Sequence, residues 1–305
     1  MQLFLDVVVD ITLPIVLIVG FGFVLQRKVG FDVGTLNRLL IYATLPCFML
    51  HSLWTADLPL AEVRTTAVFT VVQFFVLLGV GWAVAAGAGL DRRIRPVVAL
   101  APAFANSGNF GIPVIELAFG PDYVLHQAVI TALLGILIIV VLPPLLAEGK
   151  RDLGSSLKAL FETPLIPAVA AGLALNALEV EQPRVLTQPL QVMGSAYVPV
   201  ALFGLGAQLA TTAWRQTGRA VAWGVGLRLC LAPLLTVGAL LLIPGIPGDL
   251  RDLLIVGSCV PVGVLLAIFC TQYGRGSESA AAMVVISTLL SPIAITAAIY
   301  LTRAF

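Results

Sequence analysis

The residues with the clearest chemical potential lie together in one hydrophobic stretch, residues 104–116. Two amide side chains, Asn106 and Asn109, stand there beside the helix breakers Gly111 and Pro113. Amides can donate hydrogen bonds to a carboxylate, although they can also satisfy a loosened backbone. Proline cannot continue helical hydrogen bonding, and freed backbone groups inside a membrane must face protein or water. The stretch therefore predicts a broken helix at membrane depth that forms a ligand site.

A second interruption, Pro261-Val262-Gly263, lies in the second half of the chain. A simple packing kink is the alternative interpretation of each break. Paired breaks, however, place the N-termini of two half-helices near the membrane centre. Free N–H groups and the positive end of the helix dipole favour an anion at such a place. The simplest such anion is a carboxylate.

Four more polar residues lie inside hydrophobic spans. Glu116 is one turn beyond Pro113, and it is either a proton-coupling group or a neutral or solvated acid near the outer mouth. Arg228 must face a partner or a cavity, and it could pair with Glu116, bind the substrate anion or extend to the cytoplasmic surface. Gln73 and Gln127 could support the breaks or form ordinary bonds between helices.

The two histidines carry less information. His51 could titrate near neutral pH and contribute to a substrate gate, or it could be an interfacial residue. No role is predicted for His126. The four cysteines show no paired spacing, so we expect neither disulfides nor a metal site, and no cofactor.

The composition defines the elements that must position these residues. The chain has 305 residues, of which 59% are hydrophobic and 11% charged, and this predicts an all-α polytopic protein in a lipid bilayer. Apolar runs of about 18 to 25 residues suit membrane-spanning helices better than barrel strands. A net charge of +1 argues against a nucleic-acid partner. Ten spans are predicted, at residues 8–26, 34–54, 65–89, 96–119, 124–147, 156–178, 189–212, 219–243, 250–273 and 280–303.

Basic residues predict the orientation, because Lys and Arg are retained in cytoplasmic loops. When alternate loops are grouped by membrane side, one side has few basic residues, namely Arg64, Arg184, Arg251 and Arg303. Both termini are therefore predicted to be extracytoplasmic, in a cell (inner or plasma) membrane. The other side, which is predicted to be cytoplasmic, has many more basic residues, namely Arg27, Lys28, Arg38, Arg92, Arg93, Arg95, Lys150, Arg151, Lys158, Arg215, Arg219 and Arg275.

Ten helices divide into five and five, and the second group then starts from the opposite side of the membrane. This is the topology of an inverted repeat. Pro113 in helix 4 has a counterpart in Pro261 of helix 9. We therefore expect two repeats, residues 1–149 and 150–305.

Four segments resemble the auxin efflux carrier family, which includes plant PIN proteins and bacterial malonate- or malate-type permeases. They are Asn106-Ser-Gly-Asn-Phe-Gly-Ile-Pro113, Leu45-Pro-Cys-Phe-Met-Leu-His51-Ser, Leu202-Phe-Gly-Leu-Gly206 and Pro261-Val-Gly263. The resemblance implies a scaffold of helices 1, 2, 6 and 7 and a transport unit of helices 3–5 and 8–10. It also implies that broken helices 4 and 9 cross, that the unit moves like an elevator, and that homodimers form through helices 2 and 7.

Two departures from the plant members matter. Only about residues 148–155 lie between helices 5 and 6, where the plant proteins have a long hydrophilic segment. Val262 stands where the plant pattern has Gln, which removes one amide and argues against auxin itself as the substrate.

The leading interpretation is a secondary transporter of a small organic carboxylate, auxin-like or malonate- or malate-like, that works by alternating access. A sodium-coupled organic-anion symporter of the bile-acid type is the alternative, and a passive channel is harder to exclude. An intramembrane enzyme is disfavoured, because the chain has neither a His-Glu-x-x-His helix nor Asp-x-x-x-Asp clusters.

Overall fold

The computed structural model describes residues 2–56, 60–146, 164–212 and 218–304. Regular structure in these ranges is helical, apart from one isolated bridge between Ala105 and Val262. In chain order the helices are α1 Gln2–Val29, α2 Val33–Thr55, α3 Leu60–Gly87, α4 Arg95–Ala103, α5 Ile112–Phe119, α6 Val124–Leu146, α7 Leu165–Ala177, α8 Arg184–Thr211, α9 Arg219–Leu242, α10 Gly248–Ser258, α11 Val264–Gln272 and α12 Ser277–Ala304.

Seven helices in the described ranges are long and apolar enough to cross a membrane, namely α1, α2, α3, α6, α8, α9 and α12. The protein is thus an all-helical, multi-pass membrane protein. Predicted spans 4 and 9 are each made of two shorter helices, α4 with α5 and α10 with α11. The sixth predicted span begins outside the described residues, and α7 forms its remainder. The count of ten spans stays a prediction.

Several other expectations fall on parts of the chain that the structure does not describe. They are the boundary between the two repeats, the connection at residues 148–155, and the basic residues Lys150, Arg151, Lys158 and Arg215.

Four π-helical turns interrupt the regular hydrogen bonding in the described ranges, and each has the same cause. A proline follows two residues after every one of them, and its ring clashes with the carbonyl four residues earlier, which lies within the π turn. The sequence therefore sets where each helix widens. The turns are Val8–Thr12, Leu40–Thr44, Ser107–Gly111 and Leu227–Leu231, and the prolines are Pro14, Pro46, Pro113 and Pro233.

One group of helices packs through very close backbone contacts. The last half of α8 lies along α1, and the last half of α2 lies against α7 and the first half of α8. A Cβ on Gly206 would overlap the carbonyl oxygen of Val19, and one on Gly22 would overlap that of Phe203. Small residues allow this approach, which is typical of helix pairs in membranes.

The second group surrounds the interrupted helices. Helix α4 packs against α3 and α9, α3 packs against α6, and α11 packs against α12. Every residue of α4 from Pro96 to Ala103 is buried. The first break is therefore held at the centre of this group.

Candidate functional site

Backbone hydrogen bonds join the two interruptions directly. The N–H of Asn106 donates to the carbonyl of Pro261 at 2.9 Å, and the N–H of Gly263 donates to the carbonyl of Phe104 at 2.7 Å. The N–H of Val262, between them, donates to Ser287 Oγ at 3.0 Å. Each break thus supplies partners for backbone groups that the other break has freed from helical bonding, as membrane depth requires.

Two glycines make this arrangement possible. A Cβ on Gly263 would lie 3.1 Å from the carbonyl oxygen of Ala105, which is tighter than an ordinary contact. A Cβ on Gly111 would overlap the side chain of Gln127, whose Nε2 donates to the carbonyl of Ser107 at 2.9 Å. Gln127 therefore supports the π turn of the first break from a neighbouring helix.

Asn106 has an unmade hydrogen bond at the centre of the site. Its carbonyl accepts from the N–H groups of Phe110 at 3.3 Å and Gly111 at 3.0 Å. Its side chain has no hydrogen-bond partner for Nδ2 in the described structure, although the residue is only 7% exposed. A buried donor without an acceptor is unfavourable, so an acceptor on a ligand would stabilise this position.

Asn109 connects the same break to α8. Its Oδ1 accepts from the hydroxyl of Tyr197 at 3.4 Å, which is a long and weak contact. Tyr197 is fully buried and stacks on Phe48 with ring centroids 5.3 Å apart. The amide of Asn109 is therefore held against the first group of helices.

A cavity of about 640 Å³ opens between these breaks and α2, α7 and α8. The start of the first π turn, residues 107–109, and the start of α11 with the glycine before it, residues 263–265, lie on its wall. None of the described residues that line it carries a charge, and most are apolar. Its polar wall consists of Asn37, Asn106, Ser107, Asn109, Thr131, Gln208, Gln272 and Tyr273.

Arg228 binds the backbone of both breaks. Its side chain, 2% exposed, donates from Nε to the carbonyl of Val260 at 2.7 Å and from Nη1 to that of Pro102 at 2.6 Å. These carbonyls lie at the C-terminal ends of α4 and α10, where a cation is favourable. Nη2 has no partner among the described residues.

Of the three interpretations that the sequence left open for Arg228, the described residues show neither the ion pair with Glu116 nor the extension to the surface, and anion binding stays a prediction. The arginine forms no ion pair with Glu116 within the described ranges, it does not extend to a surface, and it does not line the 640 Å³ cavity. The physical reason is that two broken helices end beside the arginine, and their free backbone carbonyls accept hydrogen bonds from the guanidinium.

Gln73 forms a bond between helices. Its Nε2 donates to Thr236 Oγ1 of α9, which matches one of the two predicted alternatives. A separate cavity of about 30 Å³ lies beside it, and Thr70, Ser107 and Arg228 also line this cavity. The space is sufficient for a water molecule.

The remaining predicted residues lie off the large cavity. Glu116 is half-buried on α5 and its Oε2 has no partner in the described structure, while His51 is half-buried on α2. Val262 is fully buried and acts through its backbone, as Pro113 and Pro261 do. The cavity thus brings together Asn106, Asn109 and Gly263 from the predicted set.

Sequence reasoning missed the amides that complete the cavity wall. Asn37, Gln208 and Gln272 lie near the ends of predicted spans, where polar residues are ordinary. Their only signal in the sequence is that they share one predicted side of the membrane.

The fold and the site define a class of protein. Apolar helices cross the membrane, two of the predicted spans are interrupted, and a cavity with several amide side chains and no charge among its described lining residues opens at the interruptions, which is typical of a membrane transporter.

Comparison with known proteins identifies the family. The family model described as "Membrane transport protein" matches residues 7–300. The chain therefore belongs to this family, the auxin efflux carriers. It is similar to a protein of Rhizobium meliloti (strain 1021) named "Putative malonate transporter", with 26% identity over 97% of this chain and 96% of that protein. It is also similar to an "Uncharacterized transporter" of Methanothermobacter thermautotrophicus, with 24% identity over 92% of this chain and 94% of that protein. These names are those of transporters, not enzymes.

Proposed function

We propose that the protein is a secondary transporter that carries a small organic carboxylate by alternating access of the cavity at the two breaks. The observation that carries the proposal is the buried, unpartnered Nδ2 of Asn106, a residue that lines a cavity whose described lining contains no charged side chain. An amide donor and the first turns of two half-helices favour a carboxylate without requiring a basic residue.

The residues on the wall of the 640 Å³ cavity also suggest which class of substrate it takes. Amide groups can also bind a second polar end of the substrate, since Asn37, Gln208 and Gln272 lie on it. Malonate is the first compound to test, because a relative is named for it. A monocarboxylate with an apolar body is the second, because most of the wall is apolar.

The packing supports an elevator-type movement. Helices α1, α2, α7 and α8 pack on one another and serve as the scaffold, and the helices around the breaks form the moving unit. In this proposal residues 1–149 and 150–305 are inverted repeats, both termini are extracytoplasmic, and the cavity of the described state opens to the cytoplasm. Two copies associate through predicted helices 2 and 7, which are α2 and α8.

The test is uptake of radiolabelled malonate and phenylacetate into proteoliposomes, preceded by a thermal-shift screen of both. Asn106→Ala should weaken binding about ten- to a hundredfold, since a hydrogen bond to a charged group contributes about 1.5 to 3 kcal/mol. Gln188→Ala is the control, because it removes an exposed amide of α8 away from the cavity. Equal binding by the two variants would contradict the assignment of Asn106.

Separate ion gradients decide the coupling. Uptake that follows a sodium gradient and ignores pH would favour the bile-acid type of symporter over the proposed carrier. Uptake that needs neither a sodium nor a proton gradient, and that saturates with substrate in both directions, would favour a uniporter. Turnover of a lipid or peptide by the purified protein would favour an enzyme.

A further inference from the structure

A cluster of titratable and polar side chains joins α3 to α6, apart from the cavity. His126 Nδ1 lies 2.9 Å from Thr66 Oγ1, and His126 Nε2 lies 3.6 Å from Glu62 Oε2. Thr66 is fully buried and His126 is 4% exposed, whereas the side chain of Glu62 retains 33% of its exposure. A buried histidine is therefore connected to the surface through one carboxylate.

The hydroxyl of Thr66 determines how many protons this cluster needs. It has a single proton, which can point either to the backbone carbonyl of Glu62 at 3.0 Å or to His126 Nδ1 at 2.9 Å. When it points to the carbonyl, His126 Nδ1 is the donor to Thr66 Oγ1, and Nε2 faces the carboxylate. A neutral imidazole would present a lone pair to Glu62 Oε2 in this arrangement. One additional proton, on either group, turns this repulsion into an attraction across the 3.6 Å that separates the two atoms.

Loss of that proton requires a specific rearrangement. The imidazole proton moves to Nε2 and donates to Glu62, so Nδ1 becomes an acceptor. The hydroxyl of Thr66 must then turn from the Glu62 carbonyl to Nδ1. The cluster therefore has two hydrogen-bonded states that differ by one proton.

Other ionisable groups near α6 do not contact His126 in the described structure. Tyr123 donates instead to Asp249 at 2.6 Å, and Arg64 lines a groove between α3 and α9. The remaining ionisable groups on elements packed against this part of α6 are His51 of α2, Glu116 of α5 and the exposed Asp122. The single ionisable contact of His126 among the described residues is thus Glu62.

Both helices of the cluster continue directly to the breaks. Gln127 follows His126 and donates to the carbonyl of Ser107 in the first break. Thr70 is one turn beyond Thr66, donates to the carbonyl of Thr66 at 2.7 Å, and lines the 30 Å³ cavity beside Arg228. A change in the cluster can therefore be transmitted to the site over about one helical turn.

We propose that Glu62, Thr66 and His126 bind the proton that the carrier couples to carboxylate movement. The proposal rests on the transport function proposed above, and it supplies the coupling ion. The cluster changes from a net charge of −1 to zero when it binds the proton. Movement of one proton with one monocarboxylate anion is then electroneutral. Glu116 is the carboxylate that the sequence offers as a candidate for proton coupling. It has an unpartnered oxygen, but no second titratable group contacts it within the described ranges.

The first test is a direct titration that does not depend on transport. His51→Asn leaves His126 as the single histidine, so the ¹⁵N-histidine NMR spectrum of the protein in nanodiscs reports this ring alone. We expect its protonation or tautomer to change between about pH 5 and 9. Glu62→Gln should shift the midpoint of the change, and Asp122→Asn, an exposed carboxylate nearby, should not. A spectrum that stays constant over this range, or an equal midpoint with Glu62→Gln, would overturn the proposal.

The second test measures coupling with [¹⁴C]malonate and [¹⁴C]phenylacetate. An acidic exterior should accelerate uptake by the wild-type protein and by Asp122→Asn. In His126→Gln and Glu62→Gln the gradient should no longer change the uptake rate, while exchange at equal pH continues. Gradient-driven uptake in His126→Gln would refute the coupling role. If the wild-type protein carries neither probe, the transport proposal fails for those compounds, and the NMR titration still decides whether the proton site exists.

Discussion

Replacement of Arg228 by methionine should destabilise the protein strongly, because two buried carbonyls would lose their partner. The guanidinium donates at 2.7 Å to Val260 and at 2.6 Å to Pro102, and the residue is 2% exposed. A hydrogen bond that involves a charged group contributes about 1.5 to 3 kcal/mol, so the expected loss is about 3 to 6 kcal/mol. Arg228→Lys keeps a cation at both helix ends but has a single nitrogen, and we expect roughly half of that loss.

Arg219→Met is the matched control for this measurement. Arg219 lies on the same helix and also donates to a backbone carbonyl, that of Ala88 at 3.1 Å, but it is exposed. Its loss should stay below about 1 kcal/mol, because water can replace the bond. The assay is equilibrium unfolding in mixed micelles, followed by tryptophan fluorescence.

Two results would refute this reasoning. An equal loss for Arg228→Met and Arg219→Met would show that the paired carbonyls do not need the guanidinium. Unchanged stability together with abolished carboxylate binding would show that Arg228 binds substrate, which is one of the interpretations that the sequence left open.

Two further predictions concern packing and pH. Gly206→Ala should lower the free energy of unfolding by about 1 to 3 kcal/mol in the same assay, because its Cβ would overlap the Val19 carbonyl and separate α1 from α8. Gly20→Ala is the control, because its Cβ would meet no atom within 4 Å, and its effect should be nearly neutral. Hydrogen bonds from the Thr35 hydroxyl and the Gly34 N–H hold the pKa of Asp32, the N-cap of α2, below its usual value. This cap therefore stabilises the start of α2 above the unfolded pKa of aspartate, and the effect is lost as the pH falls through the folded value. Amide exchange of residues 33–37 should lose protection on acidification in the wild-type protein, and an equal pH dependence in Asp32→Ala would contradict this.

The breaks could be predicted from sequence because their cause is local. Proline removes a donor and clashes with the preceding turn, and glycine permits close backbone approach, so Gly111, Pro113, Pro261 and Gly263 mark the interruptions without knowledge of the fold. The same logic extends to Pro46, which lies in a hydrophobic span two residues after a π turn. Hydrophobic run lengths likewise indicate the spanning helices.

The partners of polar side chains could not be predicted, because they come from distant parts of the chain. Arg228 binds carbonyls at positions 102 and 260, and His126 faces Glu62, which lies 64 residues earlier. A buried charge requires compensation, but the sequence does not say whether a carboxylate or a helix end provides it. For the same reason the sequence left three interpretations open for Arg228, and none of them named the backbone carbonyls that it contacts.

The position of Arg228 bears on how the proposed site would attract a carboxylate, since none of the described residues on the cavity wall is basic. Each broken helix presents a negative C-terminal end and a positive N-terminal end at the membrane centre. Arg228 lies at both negative ends, while Ser107–Asn109 and the first turn of α11 line the cavity. We infer that the arginine neutralises the ends that would repel a carboxylate, so the cavity is left with the field of the positive ends and with the amide of Asn106. A site of this kind would hold the proposed carboxylate through dipoles and hydrogen bonds, and it would release the anion on either side of the membrane more readily than a salt bridge would.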